Sequence, residues 1–105
     1  VLGHYVRERG VLTLPEALAK MTILPARLLE SRSPAMARRG RLQAGMAADL
    51  TVFDPVTISD RSTIEQTWLE SVGVHHLLVG GQVVRSAGVT DQSVRPGVPI
   101  LSGSA

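Results

Sequence analysis

Apolar and polar positions follow two different periods along the chain, and the change falls near residue 40. Before it, Leu14, Ala17, Leu18 and Met21 recur at i, i+3, i+4 and i+7, the spacing that lines one face of a helix. Thr13-Leu14-Pro15-Glu16 marks the start. A Thr N-cap with Glu three residues on satisfies two amide donors that would otherwise lack partners. Pro15 in the first turn gives up an N–H for which the helix has no acceptor. Pro25 ends the run, since the residue before a proline avoids helical dihedrals, and a second short helix is predicted from Pro25 to about Leu29. Residues 1–9 read as the tail of an earlier helix, and Ser31 to Ala37 as a polar loop containing a proline.

After residue 40 the pattern suits strands. Gly40-Arg41-Leu42-Gln43-Ala44-Gly45 predicts a very short strand between two turn glycines. Ala48 to Asp54 predicts a second, with Leu50, Val52 and Phe53 as its strand formers and Asp54-Pro55 as the turn that closes it. Residues 60–71 are mixed and polar, a loop with room for one helical turn. Val74 to Val79, Gly80-Gly81 and Gln82 to Arg85 predict a hairpin, because both glycines tolerate the positive φ of a two-residue turn. From Arg95-Pro96-Gly97 to Ala105 the chain is rich in Gly, Pro and Ser and is expected to fray.

Composition narrows the class. Hydrophobic residues are 44% and charged residues 19% of 105 residues, which excludes a disordered chain. The length admits one small domain and is too short for most complete barrel enzymes. Val at position 1 in place of Met points to a processed or partial chain. No apolar stretch is long enough to span a membrane or serve as a secretory signal. The isoelectric point of 9.9 suggests nucleic acid, yet the net charge is only +2, since ten Arg and Lys20 face nine acids. Arg38, Arg39 and Arg41 form a basic cluster without an interleaved aromatic residue to stack on bases, so it reads as a solvated loop. The absence of Cys excludes disulfides, thiol nucleophiles and Cys-ligated zinc, and fits a cytoplasmic protein.

The residues themselves supply no catalytic constellation. His75 and His76 are adjacent in a strand and point to opposite faces, and His4 lies about seventy residues away without a carboxylate at a recognised ligand spacing. Asp49 and Asp54 flank a strand five residues apart, which also sets them on opposite faces; Asp49 is expected to bond local amides after the Gly45 turn. No serine sits in a Gly-x-Ser-x-Gly elbow, and Gly80-Gly81 is too short for a phosphate loop. Trp68, the single Trp, is expected to pack in the core. No catalytic, cofactor-binding or metal-binding residue is therefore assigned to this chain.

Two stretches are more specific. Gly40-Arg41-Leu42-Gln43-Ala44-Gly45-Met46-Ala47-Ala48-Asp49-Leu50-Thr51-Val52-Phe53-Asp54 resembles the G-x-[LI]-x-x-G-x-x-A-D-[LI]-x-[VL]-[FL]-D signature of the amidohydrolase superfamily. Val74-His75-His76-Leu77-Leu78-Val79-Gly80-Gly81-Gln82-Val83-Val84 resembles the superfamily's V-x-x-[VT]-[LF]-V-[NG]-G-x-x-V hairpin, with Leu77 in place of Val or Thr. Leu14-Pro15-Glu16-Ala17-Leu18 and Thr22-Ile23-Leu24-Pro25-Ala26 are similar to its L-x-E-A-[LV] helix and T-x-x-P-A turn. Within the superfamily, Val1 to Leu14 resembles the V-L-G-x-Y-V-R-E-x-x-[VL]-L-[ST]-L segment of the N-acyl-D-amino-acid deacylases (D-aminoacylases). Asp60-Arg61-Ser62-Thr63-Ile64-Glu65 and Arg95-Pro96-Gly97 resemble their D-R-A-T-[FY]-x and R-P-G. Gly80 replaces the usual Asn, and Gln66 to Val72 lacks a proline and tyrosine found there.

The resemblance implies an α+β fragment: the terminal helices of a (β/α)8 barrel over residues 1–38, then the C-terminal strands of the small amidohydrolase β-sandwich over 39–105. It implies a metal-dependent parent that hydrolyses amide C–N bonds of N-acyl-D-amino acids, with zinc or another divalent metal bound by residues upstream. His4 falls at a variable position of the motif and inherits no role. The isolated chain is then expected to be inactive, with the missing N-terminal barrel and sandwich segments as its partners and neither nucleic acid nor membrane among them. A free-standing β-rich structural or interaction module, and a piece of a dihydropyrimidinase-like cyclic amidase, are the alternatives.

Overall fold

In the computed structural model, residues 1–103 are described. The first forty residues are helical: a π-helix over Leu2–Glu8, α1 over Leu14–Met21, α2 over Ile23–Leu29 and a 3₁₀ helix over Pro34–Arg38. Strands follow: β1 (Leu50–Phe53), β2 (Val74–Val79), β3 (Gln82–Ser86) and β4 (Val89–Thr90). They form one antiparallel sheet in the order β1-β2-β3-β4, so the chain is a small α+β unit.

α1 starts as its sequence predicts. Thr13 N donates to Glu16 Oε2 at 2.9 Å and Glu16 N donates to Thr13 Oγ1 at 3.3 Å, closing the capping box. These hydrogen bonds at the Thr13 amide and hydroxyl hold the Glu16 carboxyl below its ordinary pKa. The break between α1 and α2 differs from expectation. It falls at Thr22 (φ −130°, ψ −83°), whose hydroxyl donates to the Leu18 carbonyl at 2.6 Å. Pro25 therefore does not begin α2 but lies in the first turn of a helix that starts at Ile23, where its missing N–H has no acceptor to lose. The predicted loop Ser31–Ala37 contains the 3₁₀ turn instead.

No strand forms between Gly40 and Gly45. Both glycines adopt positive φ (66° and 84°), and the segment spends its backbone on turns, Met46 N donating to the Gln43 carbonyl and Ala47 N to that of Arg38. Gly40 also passes so close to the helix break that a Cβ there would lie 2.6 Å from the Thr22 carbonyl oxygen. β1 starts at Leu50 rather than Ala48, because Ala48 and Asp49 are engaged by the hairpin tip.

The hairpin is observed where predicted, with Gly80 and Gly81 both at positive φ (57° and 80°). β3 continues into the unpredicted β4 through Ala87-Gly88, and Ala87 is held at φ 49°. Bulges interrupt the register at Val52/Phe53 and at Leu77/Leu78.

Among the described residues the buried apolar side chains are Leu2, Ala17 and Ala26, all at helix contacts. Trp68 is not in a core. It is 71% exposed, and Ile64 nearby 94%, on a 60–71 loop tied down at its base by the Ser59–Val72 bridge, with no element laid over it. The tail returns to the helices: Ser33 Oγ donates to the Leu101 carbonyl at 3.0 Å, and Gly103 N to that of Arg32 at 3.3 Å. Of the segment expected to fray, residues 104 and 105 lie outside the described residues.

Candidate functional site

The signature segment folds into a polar junction between helices and sheet. At the entrance to β1, Asp49 Oδ1 accepts the Gly80 N–H at 2.9 Å, and Oδ2 accepts a hydrogen bond from Arg39. Beside it, Gly81 N donates to the Ala48 carbonyl at 2.9 Å. The Gly80 amide is the largest influence holding the Asp49 carboxyl below the ordinary aspartate range; partial burial opposes it, and the Arg39 guanidinium adds to the lowering. Asp49 thus bonds an amide 31 residues ahead, not the local amides predicted for it. The pairing was hidden in the sequence because the Gly80-Gly81 turn supplies the donor from its backbone.

Of the arginine cluster expected to be a solvated loop, Arg38 is exposed, whereas Arg39 and Arg41 are half-buried. Arg41 donates to Glu30 Oε2 at 2.6 Å and to the carbonyls of Met36 and Arg39 at 3.2 and 3.0 Å, and Arg38 donates to the Gly45 carbonyl at 3.0 Å. Arg38 and Arg41 thus donate to backbone carbonyls around the turns, while Arg39 donates to the Asp49 carboxylate. These bonds suit a rigid joint, and within it Arg39 Nε is buried without a hydrogen-bond partner among the described residues.

The remaining candidates do not converge. His4 Nδ1 lies 3.1 Å from Glu8 Oε2, and its ring meets Tyr5 edge-on. The cleft beside them, about 430 Å³, is also lined by Asp60, whose Oδ1 accepts from both the amide and the hydroxyl of Ser62 at 2.9 and 2.7 Å. His76 Nδ1 accepts the Ala87 N–H at 3.3 Å, while His75 is exposed. Asp54, at the other end of β1 from Asp49, accepts the Val56 N–H at 2.8 Å in a local turn. No three His, Cys, Asp or Glu side chains among the described residues gather as a metal centre would require. The donor set does not fit a divalent ion.

What the chain offers is surface. Leu24, Leu28, Leu42, Val56, Ile64 and Trp68 are among its exposed large apolar side chains. Its accessible area is 7568 Å², where a compact chain of 11.2 kDa would expose roughly 5,700 Å². Scattered exposed apolar residues are ordinary, but an excess near 1,900 Å² is the area of a whole interface. The sequence expectation of missing barrel and sandwich segments as partners fits such a surface, and α2 adds to it: all but one of its seven residues, Ile23-Leu24-Pro25-Ala26-Arg27-Leu28-Leu29, are apolar.

Residues 2–85 match the amidohydrolase family. The chain is 50% identical over 84 residues to an N-acyl-D-glutamate deacylase of Alcaligenes xylosoxydans xylosoxydans, covering 80% of this chain and 16% of that protein. A D-aminoacylase of the same organism is 44% identical over the same shares. Among solved structures, an N-acyl-D-glutamate deacylase from Bordetella bronchiseptica, complexed with zinc and a phosphonate inhibitor, superimposes with a TM-score of 0.78 and 45% identity, over 95% of this chain and 20% of that one. The chain therefore spans about a fifth or less of the length of these relatives. No described helix is long and apolar enough to cross a membrane.

Proposed function

The chain belongs to the amidohydrolase family, and from that premise we propose that it is the closing segment of a metal-dependent hydrolase that cleaves the amide of N-acyl-D-amino acids in the cytoplasm. In this reading residues 1–38 complete the catalytic barrel and residues 39–105 supply the C-terminal part of the small β-sandwich. The observation that carries it is the 50% identity with an N-acyl-D-glutamate deacylase over 84 residues, a stretch that includes both the signature segment and the hairpin.

No three His, Cys, Asp or Glu side chains gather among the described residues, which supports a metal of the whole enzyme held by polypeptide outside this chain. The chain's own task is architectural. The Arg39–Asp49 bond ties the end of the 3₁₀ helix to the entrance of β1, Asp49–Gly80 ties that entrance to the hairpin tip, and Arg41–Glu30 ties the Gly40–Gly45 loop to the end of α2, and the excess surface is what the rest of the enzyme covers. A preset angle between the two halves lowers the conformational freedom lost on assembly.

The test is reconstitution. The Bordetella deacylase, lacking the segment this chain aligns with, is first shown to recover activity with its own excised segment, then mixed with this chain, zinc and N-acyl-D-glutamate. Turnover is expected from the mixture and from neither part alone. Turnover by the isolated chain, or a silent mixture where the relative's own segment succeeds, would overturn the proposal.

A further inference from the structure

α2 is apolar on both sides. Ala26 faces inward and is buried, while Leu24 and Leu28, one turn apart on the opposite side, are 48% and 79% exposed. Met21 and Leu29 flank them and are also exposed. A helix that is hydrophobic all round belongs between two packed layers, and in this chain α2 has one. The charges at its rim without an ion-pair partner are of one sign. Arg27 and Arg32 are exposed and lie in no ion pair among the described residues. The carboxylates nearest in sequence are already committed, Glu16 to the α1 cap and Glu30 to Arg41.

We infer that the outer face of α2 is a docking surface, and that its occupant is an apolar groove bordered by carboxylates on the remaining polypeptide of the proposed enzyme. The inference rests on the reading above and deepens it by naming the contact. Charge complementarity selects the occupant: a second copy of this chain would set Arg27 and Arg32 against themselves, whereas an acidic rim neutralises them.

The chain contains no Cys, so Leu28→Cys places a single thiol at the centre of the face. Its alkylation is followed by the mass of the chain, free and mixed with the truncated Bordetella deacylase. Labelling is expected to slow at least about tenfold in the mixture. Leu28→Glu is expected to weaken association roughly ten- to hundredfold, the value of one buried leucine. Joint reversal by Arg27→Glu and Arg32→Glu weakens it at low salt but little at high salt, and the paired Lys variants retain it. Circular dichroism of each variant, changed at exposed positions only, should match the parent.

If the mixture regains activity yet the thiol labels as fast as in the free chain, the inference falls and the proposed function stands. If the chain fails to associate at all, both fall. Dimerisation of the isolated chain that the Leu28→Glu substitution abolishes would assign the face to a second copy and overturn the stated occupant.

Discussion

Asp49 joins three stretches that lie far apart in sequence: the loop carrying Arg39, the start of β1, and the hairpin tip at Gly80. A charged acceptor on a backbone N–H is worth more than a neutral one, but partial exposure reduces it, so about 1 kcal/mol is the appropriate scale. Asp49→Ala should therefore speed hydrogen exchange at the Gly80 amide about fivefold and leave the β2–β3 ladder nearer its original protection. The sign of the pH dependence follows from the lowered carboxyl pKa. The stabilisation is present above the ordinary aspartate range near pH 4 and is lost as pH falls through the lower folded value. The Gly80 amide resonance should hold steady through about pH 4 and shift only below it. A shift centred at or above that pH would show that the carboxylate does not hold the tip. That Asp49 is structural was legible from its place before a strand. Its partner was not, because a backbone donor 31 residues away has no side-chain signature.

Elements were legible where a local rule decides them. The capping box set the start of α1, and paired glycines set the β2–β3 turn. They were not legible where tertiary contacts decide. Gly40 to Gly45 has the spacing of a turn-flanked strand, yet it closes against the helix break at Thr22 and the Arg38 carbonyl, with no strand beside it to pair. β4 escaped notice because its turn places Ala87, which has a Cβ, in the left-handed region at φ 49°. The Ala87 N–H is accepted by His76 Nδ1 at 3.3 Å, and Gly88 N donates to the His75 carbonyl at 2.9 Å, so β2 holds the turn in place. Ala87→Gly should relieve the strain by more than the added freedom of the unfolded chain offsets, a net gain of about 0.5 kcal/mol. Slower exchange at the Gly88 amide is the expected readout; faster exchange would mean that the Ala87 methyl contributes packing there.

At the scale of the molecule, the helices and the sheet are joined by polar bonds more than by a shared core. The radius of gyration is 15.1 Å, against about 13 Å for a compact chain of 105 residues. Folding buries about 53% of the surface the extended chain would expose, where roughly 65% is usual at this size. Because the denaturant slope scales with surface exposed on unfolding, the urea m-value of the isolated chain should be about four-fifths of that of a compact domain of equal length. Trp68 gives an independent check, as the single Trp on a loop that nothing covers. Its emission should stay close to that of unfolded protein and remain open to a soluble quencher in the native chain, so far-UV circular dichroism would follow urea unfolding while tryptophan emission barely moved. Coincident large changes in both signals would place Trp68 in a packed environment. The same residue then reports assembly: if the rest of an amidohydrolase covers the 60–71 loop, quenching falls on mixing, and if it covers only the helical face, quenching stays unchanged while Leu28 becomes protected.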